Sequence, residues 1–183
     1  MKLKEHKTII YYAGLLIILP VWVIMFADKV SVLSLLQIAL LIVLSYIAMV
    51  IDINTKRIPN GLILIMLAGW LLTTIPMVFF DTENGIRMLI DSIYGLLLGG
   101  GLFLLVYLLS RKGLGGGDVK FMSAAGLYLG LSGTIPAILL GTTIAALTGL
   151  ILILLKRITR KDTIPLAPFL FIGIIITVFL TRI

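Results

Sequence analysis

The chain has 183 residues, of which 61% are hydrophobic and only 13% are charged, and its mean hydropathy is +1.22. This composition excludes an ordinary soluble domain, in which about 45–50% of residues are apolar. A net charge of +7 would favour nucleic-acid binding in a soluble protein, but here the basic residues form short clusters between apolar segments, where they determine membrane topology. We therefore expect no nucleic-acid partner, and the absence of cysteine excludes disulfides, thiolate metal sites and a cysteine nucleophile.

Seven apolar segments approach the length of about 20 residues that a helix needs to cross a bilayer. They run from Ile9 to Phe26, Val32 to Ile51, Pro59 to Phe80, Ile86 to Leu109, Val119 to Leu131, Ile135 to Leu155 and Ile164 to Leu180. The fifth is short and is either a full crossing or a tilted, partly buried or re-entrant segment. We predict an all-α fold, a polytopic helical bundle in the lipid bilayer with about seven transmembrane segments. It forms one domain over residues 1–183, with a core over about 32–183 and a candidate peripheral first span.

The basic residues indicate the orientation of this bundle. With seven crossings and a cytoplasmic N-terminus, 12 of the 15 basic residues fall on the cytoplasmic side: Lys2, Lys4, Lys7, Lys56, Arg57, Arg111, Lys112, Lys120, Lys156, Arg157, Arg160 and Lys161. Only Lys29, Arg87 and Arg182 fall outside, as the positive-inside rule requires of a plasma-membrane protein. The loop that begins at Asp52 and the loop that ends at Asp118 are then both cytoplasmic.

Small residues in two spans favour close helix packing. They are Gly95, Gly99, Gly100 and Gly101 in the fourth span and Gly126 and Gly130 in the fifth. We expect these two helices to form a compact pair.

A hydrophilic, glycine-rich stretch over residues 111–120 interrupts the apolar sequence. Gly115, Gly116 and Gly117 would allow positive φ angles and the close approach of another backbone, and Asp118 opens the next apolar segment. Aspartate is also a preferred residue at a helix N-cap, so a purely structural role for Asp118 is an alternative.

Asp52 follows a long apolar run and precedes Pro59 and Asn60. Pro59 suits the first turn of the next helix, where its missing N–H is not needed. Asp52 could be a boundary residue paired with Lys56 or Arg57. That interpretation has a weakness, because a carboxylate at a helix C-terminus faces the negative end of the helix dipole.

Elimination leaves these two aspartates as the candidate reactive groups. The only histidine, His6, lies in the basic N-terminal tail, so a Ser-His-Asp arrangement or an imidazole zinc site is poorly supported. No phosphate-binding glycine loop is present. Two carboxyl groups within reach of each other share a proton and can activate a water molecule as a general base and acid. Helix placement favours Asp118 as the ionised member and Asp52 as the protonated one.

Three segments resemble a known family. Gly115-Gly116-Gly117-Asp118-Val119-Lys120 is similar to the GxGDxK motif of type IV prepilin peptidases, and Asp52 with Ile58-Pro59-Asn60 is similar to their first-aspartate segment. The stretch from Ile164 to Phe169 resembles a third landmark, usually Ile-Pro-Phe-Gly-Pro-Phe, with Leu166 and Ala167 as departures. The landmarks occur in the expected order over positions 52 to 169.

The resemblance implies a membrane aspartyl peptidase of the GxGD class. Such an enzyme removes a short basic leader from prepilin-like or preflagellin-like membrane proteins at the cytoplasmic face, with no cofactor or metal. By position, Asp52 and Asp118 would be catalytic, and Gly115 and Gly117 would form the loop that lets them meet. Lys120 would be an electrostatic or structural support, or simply a topology signal.

One departure from the family pattern limits the activity that the resemblance implies. Many bacterial members carry a cytoplasmic insertion with cysteine pairs that is associated with N-methylation, whereas this chain has no cysteine and joins its first two spans by Ala27 to Ser31. The resemblance thus implies peptidase activity without methyltransferase activity. A small ion- or proton-coupled transporter using the same carboxylates is the alternative, although no inverted repeat supports it.

Overall fold

The chain folds as a bundle of α-helices. The computed structural model describes residues 14, 17–25, 31–110, 113–159 and 162–181, and no β-strand occurs within these ranges. Helix α1 is described over residues 17–25. The following helices are α2 (Val32–Thr55), α3 (Asn60–Phe80), α4 (Thr82–Leu109), α5 (Gly116–Leu154) and α6 (Ala167–Thr181).

Parts of the predicted topology fall outside the described residues. They include 8 of the 18 residues of the first predicted span, nearly all of the connection from Ala27 to Ser31, His6, and nine of the basic residues used for orientation: Lys2, Lys4, Lys7, Lys29, Arg111, Lys112, Arg160, Lys161 and Arg182. Within α1, however, Trp22 is fully buried and belongs to the hydrophobic core.

The helices confirm a multi-pass membrane protein. Helices α2 to α5 are each long and apolar enough to cross a membrane, and α6 is a shorter apolar helix. The predicted number of about seven spans is not confirmed by this count and stays a prediction. Helix α6 begins three residues later than predicted, since Pro165 precedes it and only Pro168 lies in its first turn, where proline is tolerated.

Helix α5 contains both the fifth and the sixth predicted spans. At 39 residues a straight helix would be about 58 Å long, roughly twice the thickness of the hydrocarbon layer. The helix is interrupted at Gly130, whose φ of 63° and ψ of −174° are essentially restricted to glycine. Leu131, the next residue, donates its N–H to Oδ1 of Asp91 on α4 at 3.1 Å.

The contacts of α5 show that the chain reverses direction at Gly130. We call residues 116–129 its first segment and residues 131–154 its second segment. Ile164, which follows the second segment, lies beside Gly149, and Asp52 bonds to Ala167 at the start of α6. Asp118, in the first turn of α5, lines a cavity together with Ile164. Both ends of α5 therefore lie at one end of the bundle, the aspartate end, and Gly130 and Asp91 lie at the other, the reversal end.

Glycines pack α4 against the first segment of α5, as predicted. A Cβ atom on Gly95 would overlap the backbone of Gly126 and Gly130, and a Cβ on Gly99 would approach the carbonyl of Met122 to 2.6 Å. This pairing is antiparallel and brings the two backbones into direct contact, which strengthens dispersion attraction where lipid offers no hydrophobic driving force. Gly101 is an exception, because nothing lies within 4 Å of the position of its Cβ.

Polar side chains inside the bundle bond to neighbouring helices or to their own backbone. Tyr128 on α5 donates its hydroxyl to the carbonyl of Met66 on α3 at 2.5 Å. Trp70 on α3 donates its indole N–H to the hydroxyl of Ser92 on α4 at 3.3 Å. Such bonds avoid the cost of an unpaired polar group in an apolar interior, and they join α3 to α4 and to α5.

Candidate active site

Asp52 lies in the last turn of α2, where the sequence placed it, and its side chain is only 5% exposed. Its Oδ2 accepts a hydrogen bond from the backbone N–H of Ala167 at 3.0 Å, across 115 positions of sequence. Ala167 is the first residue of α6, so the carboxyl group of Asp52 sits at the start of that helix. The unpaired N–H groups at a helix start favour a negative charge, which offsets the unfavourable position of Asp52 at the end of its own helix.

Asp118 lies in the first turn of α5, but it is not the N-cap. Gly115 occupies the N-cap position with φ −78° and ψ 138°, and Asp118 is the third residue of the helix. The N–H of Asp118 donates to the carbonyl of Gly115 at 3.1 Å. The alternative in which Asp118 serves as the helix N-cap is therefore wrong, because the helix begins three residues earlier than the apolar pattern suggested.

Gly115 and Gly117 act through close contact and not through positive φ angles, whereas nothing lies within 4 Å of a Cβ on Gly116. Among the described glycines only Gly130 has a positive φ, so the expectation of positive φ at positions 115 to 117 is wrong. A Cβ on Gly117 would lie 3.2 Å from the Cβ of Ile58, in the segment between α2 and α3. A Cβ on Gly115 would lie 2.9 Å from Oδ2 of Asp118. The missing side chains leave room for Ile58 and for the carboxyl group.

The two carboxyl groups share two adjoining cavities at the aspartate end. One has a volume of about 230 Å³ and is also lined by residues 56–58 and by the glycines at 115–117. The other has a volume of about 330 Å³ and is also lined by Gly113, Leu114 and residues 163–166. Asp52, Lys56, Gly115 and Asp118 border both cavities. Residues remote in sequence thus border the same two cavities.

Lys120 does not border either cavity. Its ammonium group donates to Oδ1 of Asn60, the first residue of α3, at 2.9 Å. Pro59 is the N-cap of α3 and therefore directly precedes the helix, one residue earlier than the predicted first-turn position. The bond between Lys120 and Asn60 joins the start of α3 to the start of α5.

Two residues of this site, Ala167 and Lys56, make contacts that the sequence did not predict. Ala167 was noted only as a departure from the third landmark, but its N–H contacts Asp52. Lys56 was considered as an ionic partner of Asp52, but its ammonium group donates to the carbonyl of Thr163 at 2.8 Å. The third landmark gave a signal for Ala167, since a proline-rich segment before an apolar helix marks a helix start. Nothing in the sequence near Lys56 indicated its partner.

Metal-binding side chains do not converge in the described part of the chain. No group of three or more His, Cys, Asp or Glu residues that could hold a metal ion occurs there. The donor set around the cavities consists of two carboxyl groups, the cations Lys56 and Arg57, and backbone amides. This set is suited to proton transfer and to hydrogen bonding of a peptide.

The comparison with family models identifies the chain's relatives. The model of the Type IV leader peptidase family matches residues 38–154, well over half of the chain, and this range includes both aspartates. A protein of Escherichia coli (strain K12) named Prepilin leader peptidase/N-methyltransferase is 34% identical over 125 residues, which cover 66% of this chain and 51% of that protein.

Proteins with the same name in two other bacteria are similar to the same degree. The protein of Bacillus subtilis (strain 168) is 32% identical over 134 residues, 71% of this chain and 50% of that protein. The protein of Aeromonas hydrophila is 31% identical over 128 residues, 67% of this chain and 42% of that protein. The match thus covers about half the length, or less, of these curated relatives. No solved structure matches the chain. On the family match over residues 38–154, the chain belongs to the type IV leader peptidase family.

Proposed function

We propose that this protein is an aspartyl endopeptidase that removes the short basic leader of prepilin-like or preflagellin-like membrane proteins. The observation that carries the proposal is that Asp52 and Asp118, which belong to different helices, border the same two cavities. Family membership supports leader cleavage as the reaction. Gly115 and Gly117 support the pairing, since the lack of side chains there leaves space for the carboxyl group of Asp118 and for Ile58.

In the proposed reaction the two carboxyl groups hold one proton between them. The ionised carboxylate removes a proton from a water molecule as its oxygen attacks the scissile carbonyl carbon, and the protonated carboxyl group donates its proton to the carbonyl oxygen. When the tetrahedral intermediate collapses, the C–N bond breaks, the carboxyl group that took the water proton gives it to the departing amine, and a hydroxyl of the intermediate returns its proton to the other carboxylate, so that the pair again holds one proton. The products are a leader with a new carboxyl end and a mature protein with a new amino end.

In this proposal Asp52 and Asp118 titrate as one unit, because they share a proton. Helix placement alone favoured Asp118 as the ionised member, but the bond from Ala167 places Asp52 at a helix start as well. Both carboxyl groups therefore lie near a helix start, which weakens the asymmetry that favours Asp118 as the ionised member. Either member can begin the reaction as the base, and the pH–rate profile reports the pair.

We propose that the aspartate end faces the cytoplasm. Five of the six described basic residues, Lys56, Arg57, Lys120, Lys156 and Arg157, belong to the elements of this end, and Arg87 belongs to the other. This distribution agrees with the positive-inside rule. A substrate helix in the bilayer would then present its leader junction to the cavities at the membrane surface, in an unwound form.

We propose further that the chain cleaves without methylating. The chain contains no cysteine, and the resemblance associates methylation with a cysteine-containing insertion. When the purified protein, S-adenosylmethionine and a prepilin substrate are incubated together, we expect mass spectrometry to detect a trimmed product whose new amino end carries no methyl group. A methylated product would overturn this part of the proposal.

The decisive experiment replaces each aspartate separately. The protein is reconstituted in bilayers with a prepilin-like substrate that carries a basic leader, and leader release is followed by mass spectrometry. Wild-type protein and an Asp162→Asn variant, altered at an exposed acid of the same end, should both cleave. Asp52→Asn and Asp118→Asn should each cleave about 10²–10⁴-fold more slowly than wild type. A rate within about tenfold of wild type in either variant, or proton flux that depends on these aspartates without any cleavage, would refute the peptidase mechanism.

A further inference from the structure

Lys56 has a backbone conformation that is unusual for its residue type. It is the C-cap of α2, its φ of 52° and ψ of 33° are left-handed, and its N–H donates to the carbonyl of Asp52 at 2.8 Å. Glycine is the usual residue at such a helix end, and a residue with a Cβ is strained there.

The side chain of Lys56 holds a segment from the other end of the sequence. Its ammonium group donates to the carbonyl of Thr163 at 2.8 Å, across 107 positions. Residues 163–166, which we call the strap, are not helical and lead directly into α6. The strap forms one wall of the cavity of about 330 Å³ that contains both aspartates.

The strap is fixed to the end of α2 at two points. At its start, the carbonyl of Thr163 accepts from Lys56, and just beyond its end, the N–H of Ala167 donates to Asp52. Both anchoring side chains belong to one turn of α2 and its cap. The two attachments lie only four positions apart. If the carbonyl of Thr163 moves, the N–H of Ala167 therefore changes its direction relative to the carboxyl group of Asp52.

We propose that Lys56 is a positioning residue of the aspartate pair: by holding the carbonyl of Thr163, it keeps the strap in place and the Ala167 N–H on Asp52. This inference rests on the proposed peptidase function. Lys56 acts through the strap and not on the substrate, so its loss should impair the reaction step while leaving the fold intact. A misplacement of about 1 Å near reacting groups costs roughly 10²-fold in rate.

Lys156 provides a matched control. It is the other described non-glycine residue with a positive φ, at 55°, and it follows the end of α5. It carries the same charge as Lys56 and is exposed, but it borders neither cavity. The variant Lys156→Met thus removes a cation and keeps a left-handed backbone position, without touching the strap.

The first test compares leader cleavage among variants of position 56. Lys56→Met should lower kcat about 10- to 100-fold, and Lys56→Arg, which retains a donor, should remain within a few-fold of wild type. Lys56→Gly relieves the left-handed strain, so it should melt at or above the wild-type temperature and still be as slow as Lys56→Met. Lys156→Met should cleave at the wild-type rate. Wild-type kcat in Lys56→Met, or an equal loss in Lys156→Met, would overturn the proposal.

The second test measures the strap directly and does not depend on catalysis. Since the chain has no cysteine, Ile164→Cys introduces a single thiol into the strap. Its reaction with a maleimide should be faster in the Lys56→Met background than in the Lys156→Met background. A thiol at Ile174, a fully buried core position of α6, should stay unreactive in both and thereby exclude general unfolding.

Together the two tests separate the possible failures. Unchanged labelling of position 164 in the Lys56→Met background would show that Lys56 does not hold the strap. Faster labelling with unchanged cleavage would show that the strap does not position Asp52. Cleavage by Asp52→Asn at a rate within about tenfold of wild type would instead refute the proposed peptidase mechanism, and the labelling comparison would still decide whether Lys56 fixes the strap.

Discussion

The two ends of α5 are built in different ways. At the reversal end, Gly95, Gly126 and Gly130 bring backbones into direct contact, and Asp91 bonds to the N–H of Leu131. At the aspartate end, contacts pass through long side chains such as Lys56 and Lys120, and cavities of about 230 and about 330 Å³ remain between the elements. Backbone contact gives rigidity, and side-chain bonds leave space for a substrate. Substitutions at the two ends should therefore separate folding from catalysis.

The largest effect is expected at the aspartate end, on rate and not on stability. Asp118→Asn should lower leader cleavage by about 10²–10⁴-fold, the range that general acid–base groups contribute. Its melting temperature in detergent should equal that of wild type, since asparagine preserves the shape of the side chain. A melting temperature lowered together with the rate would mean that Asp118 supports the fold and would weaken the contrast between the two ends.

The next largest effect is expected at the reversal. Gly130→Ala would place a Cβ against the carboxylate of Asp91 and would force a side chain into a backbone conformation that costs about 1–3 kcal/mol. Unfolding of the reconstituted protein in denaturant should occur at a clearly lower concentration, and cleavage should fall only with the folded fraction.

Gly101→Ala is the control for this substitution. Nothing lies within 4 Å of a Cβ at that position of α4, and alanine is the better helix former by about 1 kcal/mol. This variant should be as stable as wild type or more stable. Equal destabilisation by Gly101→Ala and Gly130→Ala would contradict the role assigned to the reversal.

A smaller effect is expected from substitution of Asp91, which accepts the N–H of Leu131 beside the reversal at Gly130. Asp91→Ala removes the acceptor for the N–H of Leu131, and loss of such a helix cap costs about 1 kcal/mol. Asp91→Asn retains a side-chain oxygen and should cost less. Denaturant unfolding ranks the two variants, and the kcat of the folded protein should be the same in both. If Asp91→Ala lowered kcat without lowering stability, Asp91 would belong with the catalytic elements.

The smallest effect is expected for the bond between Lys120 and Asn60. Both side chains are exposed, so the hydrogen bond should contribute only about 0.5 kcal/mol to the free energy of unfolding. A double-mutant cycle with Lys120→Met and Asn60→Ala measures the coupling directly. A coupling near this value supports Lys120 as a structural support, and a coupling of zero would leave it as a topology signal alone.

The sequence predicted the features that follow from local composition and spacing. Long apolar runs identified helices α2 to α4 nearly to their ends, since a bilayer demands about 20 apolar residues from each crossing. Glycines at positions 95, 99 and 126 predicted the close pair of α4 and α5, because only small residues let two helix backbones meet. The aspartates at 52 and 118 were selected because the chain offers so few other reactive groups.

The tertiary structure alone decided what contacts those aspartates. The bond from Ala167 to Asp52 and the bond from Lys56 to Thr163 join residues more than 100 positions apart, and no local pattern specifies such pairs. The same holds for Asp91 and Leu131, 40 positions apart, which meet only after α4 and α5 have packed. Apolar periodicity specifies which face of a helix is buried. The partner of a given polar group is set by the packing of whole helices.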